Sequence, residues 1–415
     1  MSNRKRIVCF GPGPRFKGGI SNFNTSLALA LHEQGQHVHV VSWSQQYPFF
    51  IPRDFKDSVS KTAPLAEAAV PVHYLLDYNN PFSWWKTVRF IKNLKPDIVI
   101  IQWAITIQAF PLSFLAKRLK KAGIEVIFDV HNVVQKENSG LDAWLTKTGL
   151  RHASKYITHS ELTIEELNAL IPNHGISTLA LYHPNYDLFT PKLDLDIEAE
   201  KRALGLNKHV FLFFGFIRKY KGLHHAIRAF HQLAQQRDDI SLLICGESFW
   251  NTVDQTKWTT KLKKLIFGSL KKLFLASKSD EKDYRPLEII QELGLEKEVV
   301  LVNTFIPNEA VHRYFQVSDA VVLFYEYATP SGIESLAYNF NKPILATAVD
   351  HFKTAIKDGV NGYLAEAENV EDMARVMAQF IEAPVSEANV RAYASRFTWE
   401  NYARSILGVD LTPIH

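Results

Sequence analysis

Apolar residues in this chain fall in short, nearly unbroken runs separated by longer amphipathic stretches. In the first half these runs are RIVCFG (6–11), HVHVVSW (37–43), DIVIIQW (97–103), EVIFDV (125–130) and KYITHS (155–160). The second half repeats the pattern with HVFLFFG (209–215), SLLICG (241–246), EVVLVN (298–303), AVVLFY (320–325) and PILAT (343–347). Short runs rich in Val and Ile predict strands covered on both faces, as in a parallel sheet. Between them, stretches such as Ser21–Gln34 and Phe110–Ala122 read as helices, punctuated by Gly35, Pro96 and Gly123. This alternation predicts an α/β protein with doubly wound sheets. The Pro- and Asp-rich stretch Pro184–Asp196 lacks helical periodicity and is taken as the interdomain linker. The expected layout is a Rossmann-like domain over 1–185, a linker over 186–206, and a second Rossmann-like domain over 207–395. A final amphipathic helix within 396–415, with Phe397, Tyr402 and Ile406 on one side, is expected to pack back on the first domain. Two facing domains place a ligand in the cleft at the carboxyl ends of both sheets.

Composition narrows the class without naming it. With 415 residues, 47% hydrophobic and 22% charged, the chain can bury two large cores. A net charge of +4 is too small to point to nucleic acid. Cys9 and Cys245 both lie in apolar strand-like runs, so they read as reduced core residues of a cytosolic protein. The start, MSNRKRIVCFGPGP, has too short an apolar run for a signal peptide. No apolar run approaches the ~20 residues of a spanning helix.

Two segments carry candidate chemistry. In Phe324–Thr347 a buried strand meets the turn Ala328–Gly332, then a helix over Ile333–Phe340. A small-residue turn opening a helix at a strand's carboxyl end suits an anion, because the first helical N–H groups point outward and the dipole favours negative charge. Ser331 and Gly332 fit that turn. The second segment is Phe211–Leu223, where a strand ends at Gly215 and Arg218, Lys219 and Lys221 arrive before a helix begins near Gly222. Three cations there can clamp a doubly charged phosphate group. The alternative for each is bland: a strand–helix turn that binds nothing, or a solvated basic loop. Together in one α/β unit they favour phosphate.

The loop GPGPRFKGGISNF (11–23) opens like a dinucleotide fingerprint, but Phe16 stands at the third glycine position. The second strand ends in Ser42 and Trp43, with no acid to hold a ribose. No GK[ST] loop is present either. Oxidoreductase and NTPase assignments both lose support. Gly18 and Gly19 before the helix still offer backbone amides to an anion.

Several segments together resemble the retaining glycosyltransferases of family 4, of GT-B architecture. They are the GGI turn (Gly18–Ile20), LALHEQG (Leu29–Gly35), DVHN (Asp129–Asn132) and FGFIRKYKG (Phe214–Gly222). Phe305–Tyr325, the SG turn with AYNFNKPILAT, and DGVNGYL (Asp358–Leu364) complete the set. The resemblance implies that Gly19, Ser331 and Gly332 lend backbone donors to a donor diphosphate, and that Arg218 and Lys221 hold it. It implies a nucleobase slot lined by Asn303, Phe305, Ile306 and Pro307, and a His131 placed over the donor sugar. It implies a nucleoside-diphosphate sugar as donor and a glycan or lipid-linked acceptor, with no cofactor and no metal. Family members commonly carry two glutamates eight positions apart, the second seven positions before a Pro. Glu326 and Glu334 have that mutual spacing, but Glu334 stands nine positions before Pro343. Two residues along a helix is a rotation of roughly 200°. The chain therefore resembles the subset that has an SG turn without the usual pair, and Glu334 as a ribose ligand and Glu326 are weaker site candidates.

One segment stands apart from this pattern. In Lys257–Lys278, Leu262, Leu265, Ile266, Leu270, Leu273 and Phe274 fall on one helical face among lysines, with no acid. A basic amphipathic helix is expected to lie on an anionic membrane surface, here on the cytoplasmic side, unless it simply packs on its own domain. Trp84 and Trp85 beside Lys86, Arg89 and Lys92 form a second such patch. The competing functions are a nucleotide-sugar epimerase or hydrolase of the same fold, and a catalytically inactive sugar-nucleotide-binding relative.

Overall fold

The computed structural model describes residues 4–49, 55–133, 140–172, 175–248 and 284–409. The N-terminal sheet comprises β1 (Arg6–Phe10), β2 (His37–Gln45), β3 (Val72–Asp77), β4 (Ile98–Trp103), β5 (Glu125–Val130), β6 (Lys155–Thr158) and β7 (Ser177–Ala180). All neighbours are parallel, in the order β3-β2-β1-β4-β5-β6-β7. The second sheet comprises β8 (His209–Phe214), β9 (Ile240–Cys245), β10 (Val299–Val302), β11 (Ala320–Leu323), β12 (Ile344–Thr347) and β13 (Gly362–Ala365). It is also parallel, ordered β10-β9-β8-β11-β12-β13. Every residue of β4 and β9 is buried, which is why those strands read as continuous apolar runs. Cys9 and Cys245 are free thiols inside these sheets, and burial raises both pKa values.

The strand order reverses between β1 and β4 in the first sheet, and between β8 and β11 in the second. Each reversal opens a crevice at the carboxyl edge, since the flanking connections leave to opposite faces. The loops after β1, β8 and β11 carry most of the residues singled out above.

The chain crosses between domains twice, and the crossings run side by side. Tyr182 Oη donates to Thr398 O at 2.8 Å, Asn185 Nδ2 to Ala394 O at 2.9 Å, and Trp399 Nε1 to Asn185 O at 2.7 Å. Thr398 caps the last helix, Trp399–Leu407, by accepting from Asn401 N, and Gly408 ends it with a φ of 71°. That helix buries Trp399, Tyr402, Ala403 and Ile406, and it packs on the Gly19–Glu33 helix of the N-terminal domain. Phe397 precedes it and packs against Tyr182. The 186–206 segment is not all irregular. It contains the helix Ile197–Leu204, capped by Asp196 and ended by Gly205.

Candidate donor-binding and transfer site

The Gly19–Glu33 helix starts at the end of the loop after β1. Its N-cap, Gly18, has φ 109° and provides no side-chain cap. Only glycine adopts that backbone readily, and the bare helix start presents N–H groups to an anion. In the second domain the Gly332–Asn339 helix starts after β11, with Ser331 Oγ accepting from Ile333 N at 3.2 Å. Tyr186, buried in the interdomain crossing, joins the two starts. Its hydroxyl donates to Gly19 O at 2.8 Å, and a Cβ on Gly332 would lie 2.9 Å from its ring.

The cationic loop meets the same place. Arg218 precedes a short 3-10 turn, Lys219–Lys221, and Gly222 follows in the left-handed region with φ 64°. A Cβ on Gly222 would sit 1.8 Å from Phe324 O, so this loop packs backbone to backbone on the end of β11. Lys221 is thereby turned inward. A Cβ on Gly215 would lie 3.1 Å from Lys221 Nζ and 3.2 Å from Ile333 Cδ1, so the ammonium lies beside the start of the Gly332–Asn339 helix. Burial, and then the neighbouring Arg218 charge, pull the Lys221 pKa down to about 8. Gly18, Gly19, Lys221, Ser331 and Gly332 therefore share one locality, and Arg218 is in the loop that forms it.

His131 follows β5 and is buried. Its Nε2 lies 2.6 Å from Gln102 Oε1, at the end of β4. Gln102 Nε2 reaches Asp129 Oδ2 at 3.4 Å. An ionised carboxylate accepts only, so the Gln102 amide group must face Asp129 and its oxygen must face His131. His131 then carries its proton on Nε2, leaving Nδ1 as the ring's acceptor. Burial first, and then His159 and His183 against the pull of Asp129, lower its pKa to about 3. The ring is neutral at pH 7.

Beneath it lies a polar network that the sequence pattern did not single out. His159 Nε2 lies 3.0 Å from Asp129 Oδ1 and 2.9 Å from Tyr402 Oη, and Tyr402 Oη donates to Asp129 Oδ2 at 3.2 Å. Burial works against the Asp129 charge, but His159, His131 and Gln102 outweigh it and hold the carboxyl below its usual range. Phe23, from the Gly19–Glu33 helix, sits edge-on to His131, His183 and Trp399, with ring centroids 4.7, 5.1 and 4.9 Å away. The available signal for His159 was its place in KYITHS, at the carboxyl end of a strand beside DVHN. Tyr402 was legible only as a packing residue of the last helix, and Tyr186 carried no local signal.

The remaining candidates divide. Asn303 Oδ1 accepts from Ser248 N at 3.0 Å, just past β10. Lys17 Nζ lies 4.6 Å from the Phe305 ring centre and 3.7 Å from Glu247, linking the two domains across the cleft. Ile306 is buried, and Pro307 opens a 3-10 turn whose Asn308 N donates to Ser60 Oγ at 3.0 Å. Glu334, in the first turn of the Gly332–Asn339 helix, is buried and its carboxylate lies 3.0 Å from His351 Nε2. Burial opposes charging both partners, yet each charge favours the other, lowering the Glu334 pKa and raising that of His351. Glu326 lies 3.6 Å from His224 Nε2. His224, His225 and Glu326 are the one group with ligand-like spacing among the described residues. Burial first, then His225, Arg228 and Lys219, lower the His224 pKa to about 3. Lys257–Lys278 lies outside the described residues.

The chain is similar to several known proteins. The chain is 25% identical over 274 residues to a D-inositol 3-phosphate glycosyltransferase of Corynebacterium aurimucosum, covering 61% of this chain and 58% of that relative. It thus spans less than two thirds of that relative's length. Among solved structures, HepE of Anabaena in complex with UDP and glucose superposes with a TM-score of 0.70 at 18% identity, covering 98% of this chain and 99% of that one. Sucrose-phosphate synthase of Thermosynechococcus elongatus gives 0.64 at 16% identity, covering 97% of each chain. Residues 17–178 match Glycosyltransferase Family 4, and residues 196–397 match Glycosyl transferases group 1. On these two adjoining matches, the chain carries a Glycosyltransferase Family 4-type domain followed by a Glycosyl transferases group 1 domain, arranged in the GT-B fold.

Proposed function

We propose that this protein is a retaining, metal-independent glycosyltransferase. It moves a hexosyl unit from a nucleoside-diphosphate sugar to a glycan or lipid-linked acceptor, in cell-surface polysaccharide or glycolipid assembly. The observation that carries this is the meeting of Gly19, Gly332 and Lys221 around Tyr186 and Gly215. As the glycosidic bond breaks, negative charge gathers on the departing diphosphate. The Lys221 ammonium and two helix starts are already oriented toward that charge, and Arg218 adds a second cation, so little reorganisation opposes the step. These groups do the work that a dication would otherwise do. The donor carbon becomes oxocarbenium-like, the acceptor attacks from the face the diphosphate leaves, and the departing phosphate takes the acceptor proton. No protein nucleophile is invoked. His131, neutral and with Nδ1 free of its proton, faces the donor sugar as an acceptor of hydrogen bonds.

Uridine is the favoured base, because the HepE structures carry UDP and UDP-glucose. Asn303, Phe305, Ile306 and Pro307 line its slot. The enzyme works in the cytoplasm at the membrane, with Lys257–Lys278 as one contact.

The test is incubation with a panel of sugar nucleotides, with and without a lipid-linked acceptor, in excess chelator. Acceptor-dependent product with an unchanged anomeric configuration is expected, and UDP should bind more tightly than GDP by calorimetric titration. Free nucleoside diphosphate without transfer would favour a hydrolase. Sugar interconversion would favour an epimerase. Loss of activity in chelator, restored by magnesium or manganese, would overturn the metal-independent electrostatics.

A further inference from the structure

Three neighbouring helices of the N-terminal domain share an outward pattern. They are Pro81–Leu94, Ala109–Lys120 and Gly140–Leu150, following β3, β4 and β5. On the first, Phe82 and Trp85 are exposed near the start, followed by Lys86, Arg89 and Lys92. On the second, exposed Phe110 and half-buried Phe114 precede Lys117, Arg118 and Lys120. On the third, exposed Trp144 precedes Lys147, and Arg151 follows the helix end. Phe82 to Lys86, Trp85 to Arg89, Phe114 to Lys117 and Arg118, and Trp144 to Lys147 are steps of three or four residues, so on each helix the aromatic shares a face with at least one cation. The inward faces, with Val88, Ile91, Leu112, Leu115 and Leu145, are buried in the core.

The aromatics form a continuous band across the three helices. Trp85 meets Phe114 edge-on at 5.4 Å, and Phe110 meets Trp144 at 5.9 Å. Arg118 lies over both Trp85 and Phe114, at 4.2 and 3.5 Å. Asp142 is the only acid on the three helices, and its Oδ1 accepts from Thr106 Oγ1. Beside Trp144 a groove of about 340 Å³ is lined by Lys147, Arg151, Leu170, Ile171 and Pro172.

We propose that this three-helix face is a docking surface for an anionic phospholipid bilayer. Aromatic side chains with an apolar body partition to the headgroup level, and the cations flanking them match a negative leaflet. An ordinary solvated face would interleave acids with its bases. In a parallel sheet these helices begin at the strands' carboxyl ends, so the aromatic band lies on the edge that also forms the cleft. A lipid-anchored acceptor would then reach the cleft while its anchor stays in the membrane. This surface is built from other segments of the chain than Lys257–Lys278 and the donor site, so its failure and that of the proposed transfer reaction are distinguishable.

The test uses the full chain with vesicles of phosphatidylcholine alone or mixed with phosphatidylglycerol. Wild type should sediment with the anionic vesicles, and binding should weaken with salt. Replacing Lys86, Arg89, Lys117 and Lys147 with Glu should lower that partitioning at least tenfold, with donor diphosphate binding unchanged. Independently, brominated lipid should quench tryptophan fluorescence in wild type, and Trp85→Tyr with Trp144→Tyr should remove most of that quenching. Undiminished sedimentation by the charge-reversed protein, or undiminished quenching in the tyrosine variant, would overturn the assignment. So would a dimer in solution that these substitutions dissolve in a protein with no affinity for vesicles.

Discussion

Tyr186 donates its hydroxyl to the Gly19 carbonyl at 2.8 Å, and the same ring fills the space where a side chain on Gly332 would go. One buried phenol in the interdomain crossing thus sets the separation of two helix starts from different domains. Gly332→Ala must push either the ring or the helix start by several tenths of an ångström. Expected is roughly tenfold weaker binding of UDP by calorimetric titration, a loss of about 1.4 kcal/mol. Tyr186→Phe keeps the ring and removes only the hydrogen bond, costing stability of about 0.5–1.5 kcal/mol. Unaltered UDP binding by Gly332→Ala would place the diphosphate elsewhere.

Gly222 is the tightest point of the cationic loop. Its φ of 64° disfavours a side chain, and a Cβ would fall 1.8 Å from the Phe324 carbonyl oxygen, which is backbone and cannot yield. Gly222→Ala should destabilise the fold by about 3 kcal/mol and displace Lys221 from Gly215. Urea unfolding measures the first effect and single-turnover kinetics the second. A variant with wild-type stability would show that the loop and the end of β11 can separate freely.

The alternation of apolar runs made the central strands legible, because β1, β4, β5, β8, β9 and β11 are buried on both faces. β3, β7 and β13 were missed. All three sit at or toward sheet edges, where VHYLLD and STLA are half exposed and the apolar run dissolves. At the site, glycine turns and clustered cations were readable because they are local. The contacts of Tyr186 with Gly19 and Gly332, and of Tyr402 with His159, join residues more than a hundred positions apart. Nothing in a local pattern encodes such pairs. Glu334 shows the same limit: its partner His351 lies on the loop after β12, and neither residue's surroundings announce the pair.

Lys221 should carry the pH dependence of donor use on the alkaline side. Its pKa in the free protein is about 8, below that of an exposed lysine, owing to burial and then Arg218. Below that value the ammonium is charged and meets the diphosphate; above it the clamp loses its inner charge. Expected is a fall in kcat/KM above about pH 8, since kcat/KM reports the free enzyme. Lys221→Arg should move that limb to higher pH. Lys221→Ala should lose on the order of 10²-fold or more in turnover with folding intact, with Arg218→Ala behaving similarly. Near-normal transfer by the alanine variants would remove the clamp from the mechanism.

The buried histidines make stability fall on the acid side. His131 and His183 have pKa values of about 3 and about 4 in the folded protein, mainly through burial. In the unfolded chain both take a proton near pH 6.5. Between about pH 6.5 and 4 the unfolded state therefore binds more protons, and unfolding free energy rises with pH by up to ~1.4 kcal/mol per unit per histidine. Glu334 acts in the same sense, because its lowered pKa gives stability that is lost as pH falls through the folded value. His351 acts oppositely: its raised pKa gives stability that is complete below about pH 6.5 and lost as pH climbs through the folded value. The sum is a maximum near neutrality with a steep acid flank. Urea midpoints at pH 7, 6 and 5 should show that flank. His131→Asn with His183→Gln should flatten it, because neither replacement titrates in the window. The same steep slope in the double variant would assign acid sensitivity to other groups and leave the neutral imidazoles beside Phe23 without a role in stability.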